Sequence, residues 1–213
     1  MLSIILATHG KERSLQCADV IDNILATTKD CEIIVVSTPN PVLEKAAELN
    51  AYTGEMPNVR FFFNDMNRMD AWNFGASQAK GEFIHGSADD LVYKDGWFEP
   101  VLEQLTQDGR DDLYCRIPCQ LDCYWAETGV GHRNFFIKHV GGCIVIPHYK
   151  AIYTDVEMSD RAIRDGVMVY TDKTSIEHKW NGPAPRDIQI HDELLYRHRK
   201  VKKFPDDFEA MIK

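Results

Sequence analysis

Two acids stand side by side in GEFIHGSADDLVYKDGW (81–97), where Asp89 and Asp90 follow an apolar, strand-like stretch. Adjacent carboxylates at the end of a buried strand repel each other, and a cation relieves that repulsion. Carboxylate oxygens suit hard divalent ions such as Mg2+ or Mn2+, which often bridge a protein to the phosphates of its substrate. No glycine-rich phosphate cradle of the GxGxxG or GxxxxGK[ST] type occurs in the chain, so a metal would have to carry a diphosphate's charge. The plain alternative for these two residues is a solvated acidic turn. Cys115, Cys119 and Cys123 recur every four residues, but Pro118 interrupts them and no CxxC pair exists, which favours reduced thiols over a zinc site. Arg197, Arg199, Lys200, Lys202 and Lys203 gather near the C-terminus. They suit either a polyanion or simply the cation-favouring end of a helix.

The elements that must carry these residues alternate between two periods. LSIILAT (2–8), CEIIVVS (31–37), NVRFFFN (58–64) and GEFIHG (81–86) read as buried strands. Between them, residues 13–28, 42–50 and 69–80 have helical spacing or composition. Strands separated by helices of this length imply βαβ units and a mostly parallel sheet covered on both faces. In such a sheet ligands sit beyond the carboxyl ends of the strands, which is where Asp89 and Asp90 fall. The second half is less regular. It suggests a helix from Asp95 to about Gln107, strands near 112–117 and 142–146, and a helix over 155–166 stopped by Gly166. A strand pair VMVYTD with TSIEHKW and a final helix over 187–200 complete it.

The chain has 213 residues, 44% hydrophobic and 27% charged, which fits one globular α/β domain. Its net charge of −9, from 33 acidic and 24 basic residues, opposes whole-surface attraction to nucleic acid or anionic membrane. No apolar run approaches the ~18 residues of a spanning helix, and MLSIILATHGKERS lacks the basic start of a signal peptide; a cytoplasmic protein without a membrane partner is expected.

Read together, the motifs resemble the glycosyltransferase-A fold, and in particular the family 2 glycosyltransferases. The resemblance runs through LSIILATHGKERSL, EIIVVS, the A-x-N-x-G pattern of Ala71, Asn73 and Gly75, AKGEFI, the DxD-like Ser87-Ala88-Asp89 followed by Asp90, TDVEMSDRAIRDG, and SIEHKW. It covers about residues 1 to 180 in order. It implies a nucleotide-diphospho-sugar donor, with a UDP-sugar expected, and a divalent metal, Mn2+ or Mg2+. Asp89 and His178 would hold the metal, with Asp90 shaping the site. Asp155 would act as general base in a single displacement that inverts the anomeric centre. Thr8, His9, Arg13, Ser37, Asn73 and Ser87 would line the donor pocket. Residues 1–92 would form the nucleotide-sugar half of a single domain, and 93–213 the acceptor and catalytic half. Glu157, Arg161 and Gly166 match the family pattern after Asp155, and Trp125 and Trp180 are candidates to stack on a sugar or base.

Three positions depart from the family pattern: Ser37 and Ser87 stand where acids are usual, and Thr154 stands where an acid usually precedes the base. These departures motivate a rival reading, a degenerate protein that binds a nucleotide-sugar without turnover. A sugar-phosphate nucleotidyltransferase is a further alternative, resting on Gly10, Lys11 and Arg13 after the first strand. For the transferase, DNA with hydroxymethylated bases, as glycosylated by phage enzymes, is one acceptor that Arg197, Arg199 and Lys200 would serve.

Overall fold

The structure, a computed structural model, describes residues 1–9, 13–119, 128–179, 184–208 and 210–212. The N-terminal half alternates strands and helices: β1 (Leu2–Thr8), α1 (Ser14–Thr27), β2 (Cys31–Ser37), α2 (Pro41–Thr53), β3 (Val59–Phe63), α3 (Arg68–Gln78) and β4 (Phe83–Ser87). The short β5 (Leu91–Val92), α4 (Phe98–Thr106), β6 (Tyr114–Ile117), β7 (Thr128–His132) and α5 (Arg133–His139) follow. The chain then forms α6 (Thr154–Arg164), β8 (Met168–Tyr170), β9 (Glu177–His178) and α7 (Arg186–Val201).

Every residue of β1 and β2 is buried, as continuous apolar runs require when helices cover both faces. The main sheet has the order β3-β2-β1-β4-β7-β6-β8. β1 to β4 run parallel, whereas β7 is antiparallel to both β4 and β6. The chain steps from β1 outward to β3 and then returns to place β4 on the other side of β1. The carboxyl ends of β1 and β4 therefore flank the switch point of the sheet, where a ligand crevice opens.

Local chemistry explains the element limits. Asn40 starts α2 by accepting hydrogen bonds from the Val42 and Leu43 amides, with Pro41 at the first helical position. Asn67 caps α3 through the Asp70 amide. α3 lies close against β1: a Cβ on Gly75 would stand 2.4 Å from Ile5 Cγ2 and 3.1 Å from Val36 Cγ2. Gly166 ends α6 in the left-handed region at φ +65°, as its position in the sequence suggests.

Three sequence expectations fail in the second half. The apolar run 142–146 is not a strand. Its amides are met by side chains, Asn73 Oδ1 for Ile144 and Val145 (3.0 and 3.2 Å) and Thr154 Oγ1 for Ile146 (2.6 Å). VMVYTD and TSIEHKW do not pair with each other: β8 adds to β6 in parallel, and β9 pairs antiparallel with β5. The helix expected from Asp95 begins at Phe98, because Gly96 turns at φ +67° first.

Candidate active site

The end of β1 delivers Thr8, and the loop after β4 delivers Asp89 and Asp90. The Thr8 hydroxyl donates to Asp89 Oδ2 at 2.7 Å. Arg13 Nη2 reaches both acids, 2.7 Å from Asp89 Oδ1 and 3.0 Å from Asp90 Oδ2. β9 then completes the group. The register Leu91↔His178 and the bond from the Lys179 amide to the Asp90 carbonyl (2.8 Å) lay the strand beside the acids, with His178 Nε2 3.4 Å from Asp90 Oδ1. Residues 77 to 88 positions apart in sequence thus meet at one sheet edge.

The two acids have different surroundings. Asp89 is buried, and both of its oxygens are engaged by Thr8 and Arg13. Burial pushes its carboxyl up, and the charge of Asp90 adds to this against Thr8 and Arg13. Asp90 also resists ionisation through burial, but the hydrogen bond and charge of His178, together with Arg13, outweigh this and hold it below the usual carboxylate range. Of the two acids, Asp90 is the one whose carboxylate stands beside His178. A carboxylate oxygen and an imidazole nitrogen together would suit Mn2+ and would leave the rest of its shell to substrate phosphates. Among the described residues no group of three or more His, Cys, Asp or Glu is arranged to hold a metal alone, so a cation here would share its shell with a substrate. His9 Nε2, at the same strand end, is buried without a hydrogen-bond partner among the described residues. Such an orphan is a group that a bound ligand would satisfy.

The remaining expected residues lie at varying distance from this group. Ser37 ends β2 directly beside Thr8 and turns its hydroxyl to the Thr38 carbonyl. Ser87 is fully buried with its Oγ 2.7 Å from the Tyr93 hydroxyl, so it faces the core rather than a donor. Asn73, expected in the donor pocket, is likewise withdrawn, since its amide is spent on the 144–145 backbone, including the Val145 carbonyl at 2.9 Å. Asp155 opens α6, where its charge acts on Tyr114 and Tyr153, and where the helix dipole favours a carboxylate. Glu157 and Arg161 are buried. Glu157 is gripped by Arg161, by Arg199 of α7 and by the Tyr149 hydroxyl, which makes them a structural knot beneath Asp155.

That knot takes Arg199 out of the C-terminal basic cluster, while Arg197 and Lys200 stay at the surface. Arg199 is buried against Glu157 and Asp207, Lys200 is paired with Asp160, and Arg197 with Glu193. Trp125, Trp180, Cys123, Gly10 and Lys11 lie outside the described residues. Sequence reading missed Arg68, the first residue of α3. It lies over the Trp72 ring at 5.5 Å, donates to the Ala151 carbonyl (3.2 Å), and is within the fields of Arg13, Asp89, Asp90 and Asp192. Its place at a helix start hid it.

The family model for glycosyl transferase family 2 matches residues 3–154, a stretch that holds both acids. The chain belongs to this family. Solved structures share its glycosyltransferase-A fold at low identity. The mannosyltransferase PcManGT from Pyrobaculum calidifontis, in complex with GDP-Man and Mn2+, superposes with a TM-score of 0.73 at 13% identity over 98% of this chain. S. aureus TarS in complex with UDP-GlcNAc gives 0.68 at 13% identity, also over 98%. This family 2 chain spans 65% of the PcManGT chain and 68% of that TarS chain. No curated protein matches the sequence. Among the described residues no helix is long and apolar enough to cross a membrane.

Proposed function

We propose that this family 2 protein transfers a sugar from a nucleotide-diphospho-sugar to an acceptor hydroxyl, inverting the anomeric centre. The observation that carries the proposal is the meeting of Asp90 and His178 at the switch point of the sheet. Asp90 and His178 would hold Mn2+ or Mg2+, which when bound supplies Lewis-acid neutralisation of the departing diphosphate. Thr8 and Arg13 fix Asp89 and keep the strand end in place. Arg68 donates to one carbonyl among the described residues, which leaves most of its five N–H groups for phosphate oxygens. His9 Nε2 is a further buried group for the donor. Asp155 would take the acceptor's proton as the acceptor oxygen bonds to the anomeric carbon and the bond to the diphosphate oxygen breaks, its electron pair leaving with the phosphate. Residues 1–92 would bind the nucleotide, with His178 reaching across from the other half to complete the site. A UDP-sugar is the donor inferred from the sequence, and the bound UDP-GlcNAc and GDP-Man of the two structural neighbours define the comparison to make.

The test is thermal unfolding with UDP, GDP, UDP-GlcNAc and GDP-mannose, each with and without Mn2+. A ligand at ~100 times its Kd stabilises by about 2.7 kcal/mol, roughly 5–10 °C for a chain of this size. A shift that requires Mn2+ and disappears in Asp90→Asn and His178→Ala supports the proposal. No shift with any ligand refutes it. Ligand binding without release of labelled sugar to water or acceptor would favour a nucleotide-sugar-binding protein lacking turnover. That second reading is motivated by Ser87, whose hydroxyl faces the core where family members place an acid.

A further inference from the structure

We infer that Asp192, on α7, is a positioning residue for the donor site, acting on Arg68 through the backbone of residues 150–152. Its functional meaning rests on the glycosyltransferase reading above. Asp192 lies outside the stretch matched by the family model, and it is fully buried. Its oxygens accept from three successive amides: Lys150 at 3.1 Å, Ala151 at 2.9 Å and Ile152 at 3.0 Å. His191 Nδ1 stands 2.8 Å from Oδ1. A buried carboxylate is costly unless its oxygens are saturated, and here the donors satisfy it.

Three amides converging on one carboxylate fix the course of the backbone between them, and with it the direction of the Ala151 carbonyl. That carbonyl receives the hydrogen bond from Arg68 Nη2. Trp72, beneath the guanidinium, is itself tied by its indole N–H to the Ser87 carbonyl at 2.8 Å, two residues before Asp89. A carboxylate about a hundred positions downstream of the paired acids thus sets the aim of a cation that lies within their fields. The same segment continues through Tyr153, held at φ +68°, into Asp155. α7 is in this way a working part of the site.

The experiment is a double-mutant cycle on the intact chain. Calorimetry with UDP and with GDP, each with Mn2+, is run on the parent, Arg68→Ala, Asp192→Asn and the double variant. Amide exchange of residues 150–152 is followed in each. Each single change is expected to weaken the tighter nucleotide by about tenfold or more, as for one charge-assisted hydrogen bond. The double variant should bind no more weakly than Arg68→Ala alone, and Asp192→Asn should speed exchange at 150–152. Effects that multiply in the double variant, or parent affinity in Asp192→Asn, overturn the inference. If Asp192→Asn does not fold, Arg68→Ala alone decides: faster exchange at 150–152 supports the link, and unchanged protection overturns it. If neither nucleotide binds the parent, the glycosyltransferase reading fails, while the exchange measurements still decide whether Asp192 and Arg68 are linked.

Discussion

Lowering the pH from 7 to 5 should destabilise the fold by about 2 kcal/mol through His85 alone. His85 is fully buried in β4, two residues before Ser87, with Nδ1 2.8 Å from the Gly129 carbonyl and Nε2 2.9 Å from the Tyr93 hydroxyl. A carbonyl only accepts, so Nδ1 carries the proton of the neutral ring. Burial, opposed by the bond to Gly129, pulls the imidazole from 6.5 down to about 4. As the pH falls through 6.5 the unfolded chain takes up a proton, while the native ring stays neutral until about 4. Stability is therefore complete above 6.5, declines between 6.5 and 4, and loses nothing further from this group below that. At about 1.4 kcal/mol per pH unit the whole interval amounts to about 3 kcal/mol, of which about 2 kcal/mol is lost by pH 5. That corresponds to a melting temperature roughly 4–8 °C lower. The assay is urea unfolding of the parent and of His85→Gln at both pH values, followed by tryptophan fluorescence. The parent should lose about 2 kcal/mol more than the variant over the interval. Equal losses would refute the reasoning, because the acid sensitivity would then reside in other groups.

Further substitutions test other parts of the structure. Gly75→Ala should destabilise by about 1–3 kcal/mol in urea unfolding, since the new methyl meets Ile5 and Val36 in a packed layer. Glu157→Gln leaves Arg161 and Arg199 buried beside a neutral group and should cost about 3–5 kcal/mol, whereas Glu193→Gln, at a surface pair, should shift stability by less than about 1 kcal/mol. Asp90→Asn should melt below the parent in the absence of ligand, since it removes a charge that His178 and Arg13 stabilise, and should also lose the Mn2+-dependent part of any nucleotide stabilisation.

The strands of the first half are legible because β1 and β2 are buried on both faces and so read as mostly apolar runs. β7 is not legible in the same way. Its sequence TGVGH holds two glycines, and the structure shows why: a Cβ on Gly129 would meet the Tyr114 hydroxyl at 2.3 Å and its ring at 2.4 Å, and one on Gly131 would meet Phe136 at 2.8 Å. The run 142–146 misleads for the opposite reason. It has a strand's composition, but distant side chains satisfy its amides, and no local pattern records that. At the site, the paired acids are legible from their place after a strand. Which of them faces His178 depends on the pairing of β5 with β9, and this is settled only in three dimensions. Arg68 and Asp192 carry no sequence signal at all, since each looks like an ordinary charged residue of a helix.

The knot around Glu157 also sets an order of events as the chain leaves the ribosome. Glu157 and Arg199 are 42 positions apart, an interval of about 2–8 s at ordinary rates of synthesis. The parallel sheet and both paired acids are made well before then. α6, whose first turn carries Asp155, has until that moment one of its two buried countercharges, Arg161, and lacks the other. The nascent protein therefore gains the sheet with its paired acids first, and α7, once made, locks α6 in place through Arg199.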